Sequence, residues 1–185
     1  MKNIFKILIL VLILASCAKE KKDEKITAKS LFNLNNDLTD FRKKMTELDT
    51  IKIWVDHSVC TYQGDERIKI TKKLDSIKIR TEYREDYTGK DSKWEFVYEK
   101  KIPVTDTLWD IENFFKRNMK RQEKIEDNYP KLIVSHNGIK LNYFTKSLGD
   151  LNSFMTDYSA TMRKLYPENR NGIYGVDVEF KDEIN

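Results

Sequence analysis

Hydrophobic positions along the chain follow two rhythms, and these divide it between helices and strands. Leu31, Leu34, Leu38, Phe41, Met45 and Leu48 recur at steps of three and four, which puts all six on one stripe of an amphipathic helix. The stripe covers fewer than three heptads and has no matching partner segment, so a helix laid on a sheet is expected rather than a coiled-coil seam. A second helix is predicted to start at 107–110, where Thr107 and Asp110 have capping-box spacing, with Leu108, Ile111, Phe115 and Met119 on one face. A third starts at Ser147 and Asp150, turns Leu151, Phe154, Met155, Tyr158, Met162 and Leu165 inward, and stops before Pro167. Between the helices the period drops to two. Ile51, Ile53 and Val55 alternate with Lys52, Trp54 and Asp56. Ile68 and Ile70 alternate with Lys69 and Thr71, and Ile77, Ile79, Thr81 and Tyr83 with Lys78, Arg80, Glu82 and Arg84. Such alternation marks a sheet with one wet face. A further strand carries Trp94, Phe96 and Tyr98. Asn137-Gly138 then joins two apolar runs as a two-residue hairpin, which sets Leu132, Val134 and His136 opposite Tyr143, Leu141 and Ile139. Tyr174, Val176, Val178 and Phe180 predict a closing strand.

Taken together these elements predict an α+β fold: a two-layer antiparallel sheet with helices packed on one face. From about residue 93 the order is strand, helix, strand, strand, helix, strand. This βαββαβ order is similar to the split βαβ of ferredoxin-like folds, which the C-terminal half is therefore expected to resemble. The 185 residues contain only six glycines and three prolines, so long regular elements are expected, and 39% hydrophobic residues suffice for one core. One domain is expected over residues 27–185.

The N-terminus follows neither rhythm. Lys2 and Lys6 precede and enter an apolar run over residues 7–15, too short to span a bilayer as a mature helix, and the run ends in Leu14-Ala15-Ser16-Cys17. That ending resembles the lipobox of bacterial lipoproteins. The resemblance implies that residues 1–16 are a signal peptide and that Cys17 is the new N-terminus, carrying acyl chains such as palmitate. It also implies that residues 17–26 are the lipidated cysteine and a charged tether. Several acyl chains, at about 0.8 kcal/mol per buried CH₂, make a stable anchor in the bilayer. Ala18, where an aspartate would retain the protein at the inner membrane, is similar to lipoproteins sent to the outer membrane of the cell envelope. The lysine and acids after Cys17 resemble a surface-export tag that Lys21 and Lys22 interrupt, so periplasmic and surface-facing orientations both stay open.

Charge adds little by itself. The formal charge of +4 loses Lys2 and Lys6 with the signal peptide, and the remaining acids and bases are interspersed. Nucleic-acid binding is therefore not expected, and the mild basicity is not expected to select a partner. The densest basic stretch contains Lys116, Arg117, Lys120 and Arg121. These are candidate partner contacts, although cations at the end of a helix that begins with Asp110 and Glu112 also match its macrodipole.

Candidate chemistry rests on few residues. Cys60 and His57 stand near the end of a predicted strand, where a thiolate and a base would be needed for a hydrolase or thiol enzyme. A lone cysteine among apolar neighbours is more often a buried small hydrophobe. His136, beside the hairpin turn, is expected to be a partly exposed structural imidazole. No metal-ligand spacing, phosphate loop or nucleophile elbow occurs, so no metal and no cofactor is expected. Tyr83, Trp94 and Tyr98 could form a stacking platform for a sugar or peptide, or belong to the core. The function expected is that of a noncatalytic envelope lipoprotein binding a protein partner, with toxin neutralisation by an immunity protein or inhibitor as one version. The alternatives are an enzyme using His57 and Cys60 and a glycan- or peptide-binding accessory lipoprotein.

Overall fold

The computed structural model describes residues 30–59, 62–85 and 92–175. The signal peptide, Cys17 and tether expected from the sequence, Cys60, and the closing strand after Tyr174 lie outside the described residues. Six strands form one antiparallel sheet: β1 (Thr50–Asp56), β2 (Gly64–Lys73), β3 (Ser76–Glu85), β4 (Glu95–Pro103), β5 (Leu132–His136) and β6 (Ile139–Tyr143). Their spatial order is β4-β3-β2-β1-β5-β6. The helices α1 (Leu34–Asp37), α2 (Phe41–Lys44), α3 (Ile111–Arg117) and α4 (Leu148–Leu165) pack on one face.

Alternation places the core. Ile51, Ile53, Val55, Ile68, Ile70, Ile77, Ile79, Leu132 and Val134 are all buried on the helix-bearing face, each stabilising the fold by roughly 1.5–3 kcal/mol. The hairpin follows its turn: Asn137 and Gly138 both take positive φ, and Leu132, Val134 and His136 pair with Tyr143, Leu141 and Ile139. On α4, Ser147 caps the first turn by accepting the Asp150 N–H at 3.3 Å, and Phe154, Tyr158, Met162 and Leu165 are buried. Leu151 and Met155 are only partly buried.

Other expectations need correction. The first stripe is not one helix. Leu34, Leu38, Phe41 and Met45 are buried, but Leu31 is 92% exposed and Leu48 60%. A 3-10 turn at Leu38–Asp40 splits α1 from α2, and Met45 leaves helical geometry. The chain then turns around Asp49, whose carboxylate accepts the Thr46 N–H at 2.7 Å and the Ser30 hydroxyl at 2.7 Å. His136 is buried rather than partly exposed, because its Nε2 lies 2.8 Å from the same carboxylate. The second helix starts at Ile111 without a side-chain cap, since Asp106 instead accepts the Trp109 N–H at 2.9 Å. The turn so formed swings Trp109 inward and leaves Leu108 exposed, and α3 ends before Met119, which is also exposed.

The split βαβ arrangement does not form in space. The elements β4, α3, β5, β6 and α4 do occur in that order along the chain. However, β1 to β4 occupy neighbouring positions as a meander, so β5 joins the sheet on the free edge of β1. Three strands therefore separate β4 from β5. Within β4 the alternation is also broken. Tyr98 stands opposite Thr81 and Phe96 opposite Glu82, so Val97 is an extra residue in a bulge. Tyr98 therefore faces the core, while Phe96, 54% exposed, faces the opposite side.

Candidate functional site

Among the described residues no helix covers the second face of the sheet, and its side chains form two continuous cross-strand rows. The first runs Lys140, Ser135, Lys52, Lys69, Arg80, Glu99 across all six strands, each residue directly opposite the next. The second, one step along the strands, runs Asn142, Ile133, Trp54, Arg67, Glu82, Phe96. A shallow groove of about 720 Å³ lies elsewhere, at one end of the sheet; the groove over these rows measures about 610 Å³.

Electrostatics differ along the rows. Arg67 and Arg80 both bond the Glu82 carboxylate, Arg80 at 3.0 Å. Burial would raise the Glu82 carboxyl, but these guanidiniums outweigh it and hold the group below its ordinary range. Trp94 lies under two guanidiniums, Arg67 at 4.3 Å and Arg84 at 4.9 Å from the ring centroid, and Phe96 lies under Arg80 at 4.9 Å. Lys140, Lys52 and Lys69 make no ion pair with any described residue.

A buried group of titratable side chains is on the other face. Glu66, at 0% exposure, occupies a core position on β2. It accepts the Tyr158 hydroxyl at 2.7 Å and the Tyr174 hydroxyl at 2.5 Å, and lies 2.9 Å from Nε2 of His57. Burial, and then the nearby Glu66 carboxylate, push the Tyr158, Tyr174 and Tyr98 hydroxyls well up, so each keeps its proton to donate. A cleft opens beside this network between His57, Tyr83, Lys93, Val97 and Ile173; it is the 720 Å³ groove. Gly64 lies against the Tyr83 hydroxyl, which a Cβ at that position would overlap. No described serine, threonine or cysteine hydrogen-bonds His57.

Comparison with protein-family models, with curated proteins and with solved structures finds no match for this chain. No helix among the described residues is long and apolar enough to cross a membrane, and those residues contain no group of three potential metal ligands.

The structure separates the residues that the sequence singled out. Tyr83 and Tyr98 are buried on the helix-bearing face, Tyr83 with its ring 5.6 Å from His57 and Tyr98 stacked on Tyr166 at 4.3 Å. Trp94 is on the opposite face. Arg117 and Arg121 bond Asp157 at 2.7 Å and Asp150 at 2.6 Å, tying α3 and the turn after it to α4, while Lys116 and Lys120 stay exposed beside them. None of these four basic residues lies in the sheet rows. Lys52, Lys69, Arg80 and Lys140 were readable only as polar alternates of their strands, because their alignment depends on strand order and register.

Proposed function

We propose that this protein is a lipid-anchored lipoprotein of the bacterial cell envelope that binds a protein partner on the helix-free face of its sheet and does no chemistry there. The observation that carries the reading is the contrast in pairing. Buried charges are matched within the fold, whereas an exposed face sets lysines that have no ion-pair partner among the described residues around a half-buried indole and an isoleucine, an apolar centre with a polar rim. The anchor rests on the lipobox resemblance at Leu14-Ala15-Ser16-Cys17, and neutralisation of a toxin is the version that suits a small anchored domain. Full-length protein isolated from detergent-solubilised envelopes tests the reading. It is expected to incorporate an alkyne palmitate analogue that Cys17→Ser abolishes, and to carry a stoichiometric protein partner. Unlabelled protein recovered alone contradicts it.

A second reading has one observation in its favour. Glu66 holds the His57 imidazole at the edge of a cleft, as a carboxylate does when it orients a base for a nucleophile. On that reading Cys60 supplies the thiolate, and the Cys60→Ser, His57→Ala double variant loses function. Unchanged function eliminates it.

A further inference from the structure

The alternation that hides polar residues from the core has a second effect on this sheet: it lines up like charges. Lys52 stands directly opposite Lys69, and Lys69 directly opposite Arg80. Like charges facing each other across antiparallel strands oppose pairing. Among the described residues several other cations of the sheet have partners, Arg84 bonding Asp65 at 2.6 Å, Lys131 bonding Asp56 at 2.6 Å and Lys78 bonding Glu99 at 2.9 Å, whereas Lys73 and Lys101, the latter opposite Lys78, form no ion pair. In the row Arg80 bonds Glu82 at 3.0 Å while Lys52, Lys69 and Lys140 form no ion pair with a described residue, and what sets the row apart is its local concentration of charge. The groove above it is lined by five cations, Lys52, Arg67, Lys69, Arg80 and Lys140, and by one carboxylate, Glu82, so its excess equals the +4 of the whole chain. What is interspersed in sequence is segregated in space.

Building on the partner-binding reading, we propose that the row Lys140, Lys52, Lys69, Arg80, with Trp54 and Ile133 beside it, is the docking site for an acidic protein surface that carries an apolar anchor among its carboxylates. At about 4.8 Å per strand the row spans roughly 19 Å from β6 to β3, the width of a protein-sized contact. Trp54 and Ile133 are neighbours in the adjoining row, so an apolar side chain entering the groove meets a half-buried indole while carboxylates flank it. An anionic bilayer fits less well, because Glu82 and Glu99 close the β3–β4 end of the rows and would face the lipid phosphates. A single-stranded nucleic acid needs successive stacking platforms, and Trp54 is flanked in its row by Ile133 and Arg67 instead.

The test uses the full-length chain in its own cells, with a photoreactive benzophenone side chain at position 135, inside the cation row, or at position 113, exposed on α3. The row site predicts a protein adduct from position 135 and none from 113, with an acidic cross-linked segment in the partner. The adduct falls about tenfold in a Lys52→Glu, Lys69→Glu background and in the milder Lys69→Gln, and persists in Lys116→Glu, Lys120→Glu. The purified row variants must melt at or above the wild-type temperature, which separates lost docking from lost folding. An adduct only from position 113 overturns the row while leaving partner binding intact. The row is equally overturned if position 135 captures only lipid, nucleic acid or a second copy of this chain, or if the charge reversals leave the yield unchanged. Absence of an adduct from both positions overturns the partner-binding reading as well.

Discussion

Glu66 and Lys69 stand three residues apart on β2 and face opposite sides of the same sheet. Glu66 is enclosed and has a hydrogen-bond partner from each of three segments of the chain, whereas Lys69 is exposed between two other cations and has no ion-pair partner among the described residues. Desolvation accounts for the difference. An unmatched charge in the core costs several kcal/mol, so Arg42, Asp49, Glu66 and His136 are all bonded there. In water an unmatched charge costs only a fraction of that. The fold can therefore keep a cation row on its open face at small cost, and the row need not owe its presence to stability.

Neighbours on β4 give the largest separation between the two faces. Tyr98→Ala empties a buried site between Tyr166 and Tyr174 and is expected to lower the unfolding free energy by about 3–5 kcal/mol in urea titrations. Phe96→Ala, two residues away on the exposed side of the bulge, should cost under ~1 kcal/mol. Equal losses would mean that the bulge does not divide them. Next comes Glu66→Ala. It leaves the Tyr158 hydroxyl and the His57 nitrogen without their partner in the core and the Tyr174 hydroxyl with Tyr98 alone, and a loss of about 3 kcal/mol is expected; a change below ~1 kcal/mol would show that the network is dispensable.

Asp49 tests the same face by pH. Burial alone would raise its carboxyl, but hydrogen bonds from Thr46, Ser30 and His136 outweigh burial and lower it. A group depressed in the folded state stabilises fully above its unfolded pKa of about 3.9, and that contribution is lost as pH falls through the lower folded value. Asp49→Asn should therefore cost about 1–2 kcal/mol at pH 7, and the difference from wild type should shrink below pH 4. A pH-independent difference would assign the loss to packing instead.

Period-two alternation made β1, β2 and β3 legible, because one buried face imposes it residue by residue. The Asn137-Gly138 turn also fixed a register, since a two-residue loop leaves no freedom in pairing. Hydrophobic pattern says nothing about polar cores, so Asp49 and Glu66 were invisible to it. Glu66 nonetheless shares the parity of Ile68 and Ile70, the one signal that could have placed it inside. The Val97 bulge is hidden beneath the regular spacing of Trp94, Phe96 and Tyr98, so that spacing does not show that Phe96 and Tyr98 face opposite sides. The cation row is illegible in the sequence for another reason. Lys52, Lys69 and Lys140 are far apart in sequence, and only the order β3-β2-β1-β5-β6 brings them into line.

The smallest expected effect is the most direct test of the idea that the open face is not arranged for stability. Lys69→Glu places a carboxylate between Lys52 and Arg80, replacing two repulsions with two attractions. Equilibrium unfolding at low salt should show the variant more stable than wild type by about 0.5 kcal/mol, roughly 1–2 °C in melting temperature. A variant less stable by that amount would contradict the account, because Lys69 would then be contributing to the fold.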